Sequence, residues 1–278
     1  NSAAGGPSLS LTQPEGVVDD GSAWLAEYLQ SSGCERFIVG LSGGVDSTTV
    51  ALWAARAVGA ERLTLLSLPC HTWMTGFDLG EEPVRRARRV HEQIPEAELR
   101  VLDIGPAVAA EAWSCGLEEA LDTRRWKGSS GVRFENLQAR LRAVRLRTFA
   151  NAQAGLVLGS RNLSERLLGY FTVGGDEQAD VELDVPAELL DTGSSAYRLP
   201  GKSESKELGF TYDEADRVLS VLVERVGSPY FSTLPSGLHQ DMEAHGIDGV
   251  RPNVVRRVLD RVEATSFKRG PTPSFEPA

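Results

Sequence analysis

Cysteine is scarce in this chain. Its 278 residues hold three, Cys34, Cys70 and Cys115, spaced too widely for a zinc pattern or a redox pair. An odd count with no signal peptide ahead of it points to a reducing compartment, so the expected location is the cytoplasm. Long apolar runs are missing too: none approaches the roughly 20 residues that cross a bilayer, and no membrane partner is expected. Basic charge is outweighed, with 29 Lys and Arg against 39 Asp and Glu and a net charge of −10. That balance argues against a nucleic-acid surface. The stretch from Arg140 to Arg147 is the local exception, an amphipathic pattern with a basic face that reads as solvated or subunit-facing. Internal repeats are absent. His71 and His91 fall in no motif, so no catalytic histidine is expected.

What the chain does have is concentrated between Arg36 and Ser47. An apolar run, Phe37 to Leu41, enters a turn reading Ser42-Gly43-Gly44, and a helical pattern follows from Val45 to Val58. A buried strand that feeds a glycine turn into a helix N-terminus makes an anion site. The glycines let the backbone approach a ligand, and the first helical N–H groups lack internal partners. Ser42, Ser47 and Thr48 add hydroxyl donors. Asp46 fits beside a phosphate cradle if a divalent cation lies between them. A Walker loop would need a lysine before its Ser or Thr, and a dinucleotide fingerprint would need spaced glycines; neither is present. A purely structural turn stays open as the alternative, although it accounts for the glycines and not for two serines and an aspartate together.

Apolar strand patterns at 37–41, 63–68, 99–104 and 155–158 alternate with helical patterns at 45–58, 81–93 and 135–152. This order predicts right-handed βαβ units in an α/β fold, a doubly wound parallel sheet with helices on both faces. The turns at Ser42 and Gly159 then emerge at the carboxyl ends of strands, where open α/β sheets bind ligands. Helices are also expected after the Glu207 to Glu214 stretch, within 203–226, and over 253–262. Residues 1–15, rich in Gly, Ser and Pro, read as a flexible leader, and 16–278 as a single domain with C-terminal helices and a tail.

Ser42-Gly43-Gly44-Val45-Asp46-Ser47 resembles the pyrophosphate loop of the N-type ATP pyrophosphatases, which adenylate a substrate while splitting ATP to AMP and pyrophosphate. Further blocks narrow the resemblance to the NAD synthetases. They are Glu135 to Arg142, Gly159-Ser160-Arg161-Asn162-Leu163-Ser164-Glu165, Leu168-Gly169-Tyr170-Phe171-Thr172 with Gly175, Asp176 and Asp180, and Ser266-Phe267-Lys268-Arg269 with Pro271 and Pro273. The resemblance spans about residues 35 to 275. It implies an adenine nucleotide alpha hydrolase-like fold, ATP as a substrate, magnesium, and a homodimer. It also implies roles. Asp46 and Glu165 resemble the family's magnesium ligands, and Ser42, Gly43, Gly44, Ser47 and Thr48 its pyrophosphate contacts. Ser160 resembles its nucleotide-contacting threonine. Arg140 would lie near nucleotide phosphates or the subunit contact. Asp176 and Asp180 resemble the acidic pair of the substrate region, with Asp176 placing ammonia. Tyr170 and Phe171 would pack against the dinucleotide, although core packing remains open for them. Lys268 and Arg269 would carry positive charge over the site.

The chain also departs from the family pattern. The loop Cys70 to Asp78 is longer and more apolar, and Ser67 stands where an arginine is expected. Val181 to Asp184 runs directly into Val185 to Leu190, without the helix that carries a phosphate-binding lysine. Thr192 to Lys206 reads as a lid. The expected activity is amidation of deamido-NAD by ATP and ammonia, supplied free or by a separate donor, since no Glu/Lys/Cys amidohydrolase triad is recognisable. Two alternatives stay open: the same ATP machinery amidating another carboxylic acid, and a nucleotide-binding module without turnover.

Overall fold

A strand covered on both faces must be apolar at consecutive positions. The strand β1 (Arg36–Gly40) meets this condition, with Phe37, Ile38 and Val39 fully buried. The structure, a computed structural model, describes residues 14–71, 81–117, 130–183, 208–228, 230–231 and 233–269. Around β1 lie β2 (Leu63–Ser67), β3 (Glu98–Val101), β4 (Gly155–Gly159) and β5 (Val181–Glu182), all parallel, in the order β3-β2-β1-β4-β5. The chain moves outward from β1 through β2 to β3, then returns to the other side of β1 for β4. The order therefore reverses between β1 and β4.

Successive side chains of β1 point to opposite faces. Phe37 and Val39 join a core with α1 (Pro14–Ser32), α2 (Val45–Val58) and α3 (Glu81–His91). Ile38 joins a second core with α4 (Gly105–Ser114) and α5 (Ser130–Ala152). Fully burying one of these aliphatic or aromatic side chains stabilises the fold by about 1.5–3 kcal/mol. A third cluster is purely helical. Leu167 and Leu168, at and just beyond the end of α6 (Leu163–Leu167), pack on α7 (Tyr212–Val226), α8 (Leu238–His245) and α9 (Pro252–Ala264). The helix α7 carries its own boundary signals: a Thr211/Glu214 capping box at the start and left-handed Gly227 at the end.

Several boundaries differ from the sequence pattern for identifiable reasons. The strand β3 stops at Val101 instead of Ile104. Leu102 and Ile104 still donate to Ser67 and Pro69 carbonyls, but Pro69 has no N–H to return the ladder. Four of the described helices were absent from the sequence reading: α1, α4, α6 and α8. The start of α4 is set by Asp103, which accepts from the Gly105 N–H just ahead of Pro106. The helix α5 begins at Ser130, five residues before the predicted start. The helix α1 starts at Pro14, inside the stretch read as a leader. Asp78, Val185 to Leu190 and Thr192 to Lys206 lie outside the described residues, as do Pro271 and Pro273.

The helix α1 is held to α2 by Leu25 and Leu29, both fully buried, and by Trp53, whose indole N–H reaches the Val18 carbonyl and Ser22 Oγ at 3.1 Å. Gly21 makes this approach possible, since a β-carbon there would overlap the Trp53 ring. Gly→Ala inside a helix ordinarily stabilises by about 1 kcal/mol. Here the sign is expected to reverse. Gly21→Ala should destabilise by about 1–3 kcal/mol through overpacking, read as a lower urea midpoint with an unchanged slope.

Candidate active site

The loops that follow β1 and β4 leave neighbouring strands at the carboxyl edge, at the point where the strand order reverses. Open α/β sheets bind ligands in this crevice. A cavity of about 470 Å³ occupies it, and Ser42, Ser160, Glu165, Tyr170, Asp176 and Lys268 all line it.

After β1 the turn is built by two serines. Ser47 is buried; its Oγ accepts from the Ser42 N–H at 3.2 Å and donates to the Gly44 carbonyl at 3.2 Å. Ser42 Oγ accepts from the Gly44 N–H at 3.2 Å and lies 3.0 Å from Ser47 Oγ. These bonds brace the loop from within, and α2 starts directly behind it with Gly44 as its N-cap. Gly43 has φ of 74°, and a β-carbon there would overlap Arg86 of α3. Both conditions require glycine. Ser42 lines the cavity, whereas Gly43, Gly44, Ser47 and Thr48 lie behind it in the loop and the first turn of α2.

After β4, Asn162 caps α6. Its Oδ1 accepts from the Glu165 N–H at 2.8 Å, and Glu165 Oε2 accepts from the Asn162 N–H at a long 3.4 Å. The Asn162 amide also donates to Asp46 Oδ1 at 3.3 Å, which links the two loops. Asp46 and Glu165 thus stand on the first turns of two helices joined by one side chain. Arg161, the preceding residue, sits 3.6 Å from Glu182 and stacks its guanidinium 4.7 Å from the Phe171 ring.

Asp176 lies further along the cavity wall. Its Oδ1 accepts from the Thr172 N–H at 2.8 Å. By surface area Asp176 is exposed, but it lines the cavity, and the protein crowding its carboxyl leaves little water to solvate a charge. Crowding governs its titration. Burial raises its pKa above the ordinary value, and the Thr172 hydrogen bond with the Arg161 and Lys268 charges offsets only part of that rise. Lys268 donates to the Gly169 and Phe171 carbonyls at 2.8 and 2.7 Å and lies 5.0 Å from the Phe171 ring centre. Burial lowers its pKa, helped by the charge of Arg261 and opposed by Asp176. Arg261 in turn stacks 5.2 Å from the Tyr170 ring.

Three of the sequence-derived residues point elsewhere. Arg140 donates to the Val173 carbonyl and is not part of the cavity lining. Asp180 pairs with Arg147 and accepts from the Val157 N–H at 2.8 Å, tying β4 to the approach of β5. Arg269 turns back to the Leu167 carbonyl at 2.9 Å and to Thr265. Conversely, Arg142, Asn136 and Asn162 were not singled out from the sequence. Arg142 lines the cavity and donates to the Leu68 carbonyl at 3.1 Å. Cavity residues Glu135, Ala139, Arg142 and Leu146 follow the spacing of one helix face, a stripe that excludes position 140. The signal for Asn162 was the capping-box pattern Asn-x-x-Glu. Burial pushes the Cys70 thiol up to about 11, which removes it as a nucleophile at neutral pH.

A parallel sheet with this reversal, a braced Ser-Gly-Gly loop after its central strand and a carboxylate-bearing loop beside it define an N-type ATP pyrophosphatase fold. Residues 17–183 match the family model for NAD synthase. The chain is 33% identical to the NH(3)-dependent NAD(+) synthetase of Hyperthermus butylicus, over 95% of this chain and 91% of that one. It is 32% identical to the Methanopyrus kandleri protein of the same name, over 97% and 93%. Among solved structures, the NMN synthetase of Francisella tularensis is similar with a TM-score of 0.65 and 25% identity, over 95% of this chain and all of that one. The NH3-dependent NAD synthetase of Campylobacter jejuni shares the fold with a TM-score of 0.66 at 20% identity. The chain belongs to the NAD synthase family.

The raised pKa of Asp176 has a measurable consequence. Its protonated form favours folding, and that contribution is lost as pH rises from the unfolded value near 3.8 through the higher folded one. Asp176→Asn removes the titration. Its melting temperature should gain on the wild type as pH rises through this window, and the difference should level off below it.

Proposed function

We propose that the protein is an ATP-dependent amide synthetase that converts deamido-NAD to NAD, taking ammonia as nitrogen donor and releasing AMP and pyrophosphate. The observation that carries this reading is one cavity lined by Ser42 of the loop after β1 together with the carboxylates of Glu165 and Asp176. The names of the relatives supply the nitrogen donor and the product.

Carboxylate oxygen is a poor leaving group, so the acid must first become a mixed anhydride with AMP. Attack at the α-phosphorus expels pyrophosphate, and the Ser42–Ser47 loop with the N-terminus of α2 would receive that charge through backbone N–H groups. Asp46 and Glu165 would hold magnesium. Their fit rests on chemistry and placement: two hard oxygen ligands from two strand-end loops, linked through Asn162. Among the described residues no group of three or more His, Cys, Asp or Glu could hold a metal. That is as expected for an ion bound by one or two carboxylates plus substrate phosphates. When bound, magnesium neutralises the leaving pyrophosphate.

The second half-reaction needs ammonia beside the acyl carbonyl. Asp176 would accept a hydrogen bond from ammonia and take the proton released on attack, a role suited to a carboxylate whose pKa burial raises above its ordinary value. Ser160 would contact the nucleotide. Tyr170 and Phe171 would form the wall for the dinucleotide, each ring backed by a cation. Lys268 would act near Asp176, and Arg140 and Asp180 would support the substrate region from outside the lining. A homodimer belongs to the same proposal: α5, which walls the cavity, exposes Val132 and Val144. No helix among the described residues is long and apolar enough to cross a membrane, and the proposed setting is the cytoplasm.

The test is pyrophosphate release with ATP, magnesium and ammonium, with and without deamido-NAD. Release should depend on deamido-NAD, with NAD formed one for one and ammonium preferred over glutamine. Pyrophosphate release only with a different acid, such as the mononucleotide counterpart, would overturn the substrate. Asp176→Asn should lower kcat by about 100-fold or more while pyrophosphate exchange with ATP, which reports adenylation, persists.

A further inference from the structure

We infer that Asn162 is a positioning residue that fixes the two cation-binding carboxylates relative to each other. The inference rests on the assignment of Asp46 and Glu165 to magnesium made above.

Asp46 and Glu165 come from loops more than a hundred residues apart, and each carries a negative charge. Bringing two carboxylates together without an ion costs Coulomb energy, so they separate unless something holds them. Asn162 is buried and uses both ends of its amide. Its Oδ1 accepts from the backbone N–H of Glu165 at 2.8 Å, and its Nδ2 donates to Asp46 Oδ1 at 3.3 Å. Only one orientation of the amide satisfies both contacts, since a backbone N–H must meet the oxygen and a carboxylate must meet the nitrogen. The residue type is therefore restricted. A lysine or arginine would compete with the cation for Asp46, an aspartate would repel it, and a serine would cap the helix without spanning the gap.

The return bond of the capping box, Asn162 N–H to Glu165 Oε2, is stretched to 3.4 Å. That is beyond the usual range for such bonds, so it holds Glu165 weakly. The firmer of the two contacts is therefore the one from the Glu165 backbone N–H to Asn162. A second anchor steadies the same turn: Ser164 donates to Asp216 of α7. With α6 held at both points, Asn162 ties Asp46 to the turn of α6 on which Glu165 stands.

The experiment separates this role from simple helix capping. Serine and aspartate cap as well as asparagine, so Asn162→Ser and Asn162→Asp keep the cap and lose the donor to Asp46. Asn162→Ala loses both. For each variant the thermal midpoint is measured without ligands, and the magnesium concentration for half-maximal binding of a non-hydrolysable ATP analogue is measured by calorimetry. The Ser variant should melt close to wild type, and the Asp variant below it because its added carboxylate faces Asp46. The Ser variant should need about tenfold or more magnesium, the size of effect seen when outer-shell partners of metal ligands are lost. Its kcat should fall at limiting magnesium and recover at saturating magnesium. If the Ser variant binds with wild-type magnesium dependence while the Ala variant melts early, Asn162 is a cap and the inference is wrong. If the wild type itself binds the analogue equally well without magnesium, the metal assignment fails first and takes this inference with it.

Discussion

The pairing of β1 with β4 is the constraint on which the rest of the site depends. Ile38 stands opposite Val157 and Val39 opposite Leu158, so the two strands end in step and release their loops side by side. A shift of one residue in this register would turn each strand's side chains to the opposite face. Phe37 and Ile38 would then exchange cores, and Asn162 would no longer meet Asp46. The buried side chains that make the sheet stable therefore also set the distance between the loops after β1 and β4. Packing energy holds the register because slipping it would expose several fully buried side chains at once.

The electrostatics of the cavity have the opposite character. They gather like and unlike charges where solvent is scarce, and they weaken rather than strengthen the fold. Asp176 is held above its ordinary pKa while Lys268 is held below its own. Each shift moves the group towards its neutral form, and each is opposed by the partner's charge. The Phe171 ring, with Arg161 on it and Lys268 nearby, lets two cations approach the carboxylate without a direct ion pair that would fix its proton. A carboxylate arranged this way can both hold a donor group and exchange a proton.

The parts of this protein legible in its sequence were those governed by local rules. Phe37 to Leu41 read as a buried strand because its apolar run ends in a glycine turn, and the α2 pattern followed at once. A helical pattern after Glu214 marked α7, and the structure adds the Thr211/Glu214 capping box and Gly227 at its ends. Other parts depended on contacts no window of sequence contains. The end of β3 is decided by Pro69, just beyond the end of the neighbouring strand β2. Arg140 and Arg142 look equivalent in a basic run, yet helical geometry turns only the second towards the cavity. Lys268 seemed a tail residue; its place beside Asp176 follows from the way α9 packs on Leu168 and Gly169.

Gly169 shows where that packing leads. It takes φ of 59°, and a β-carbon on it would overlap Thr265, so the chain turns tightly against the end of α9. Lys268 and Arg269 then bond to carbonyls about a hundred positions earlier. Contacts of such long sequence separation close late, because loop entropy must be overcome before they form. The surroundings of Asp176 are therefore completed by a segment about a hundred positions downstream, and the wall of the cavity closes only after the sheet that supports it is in place.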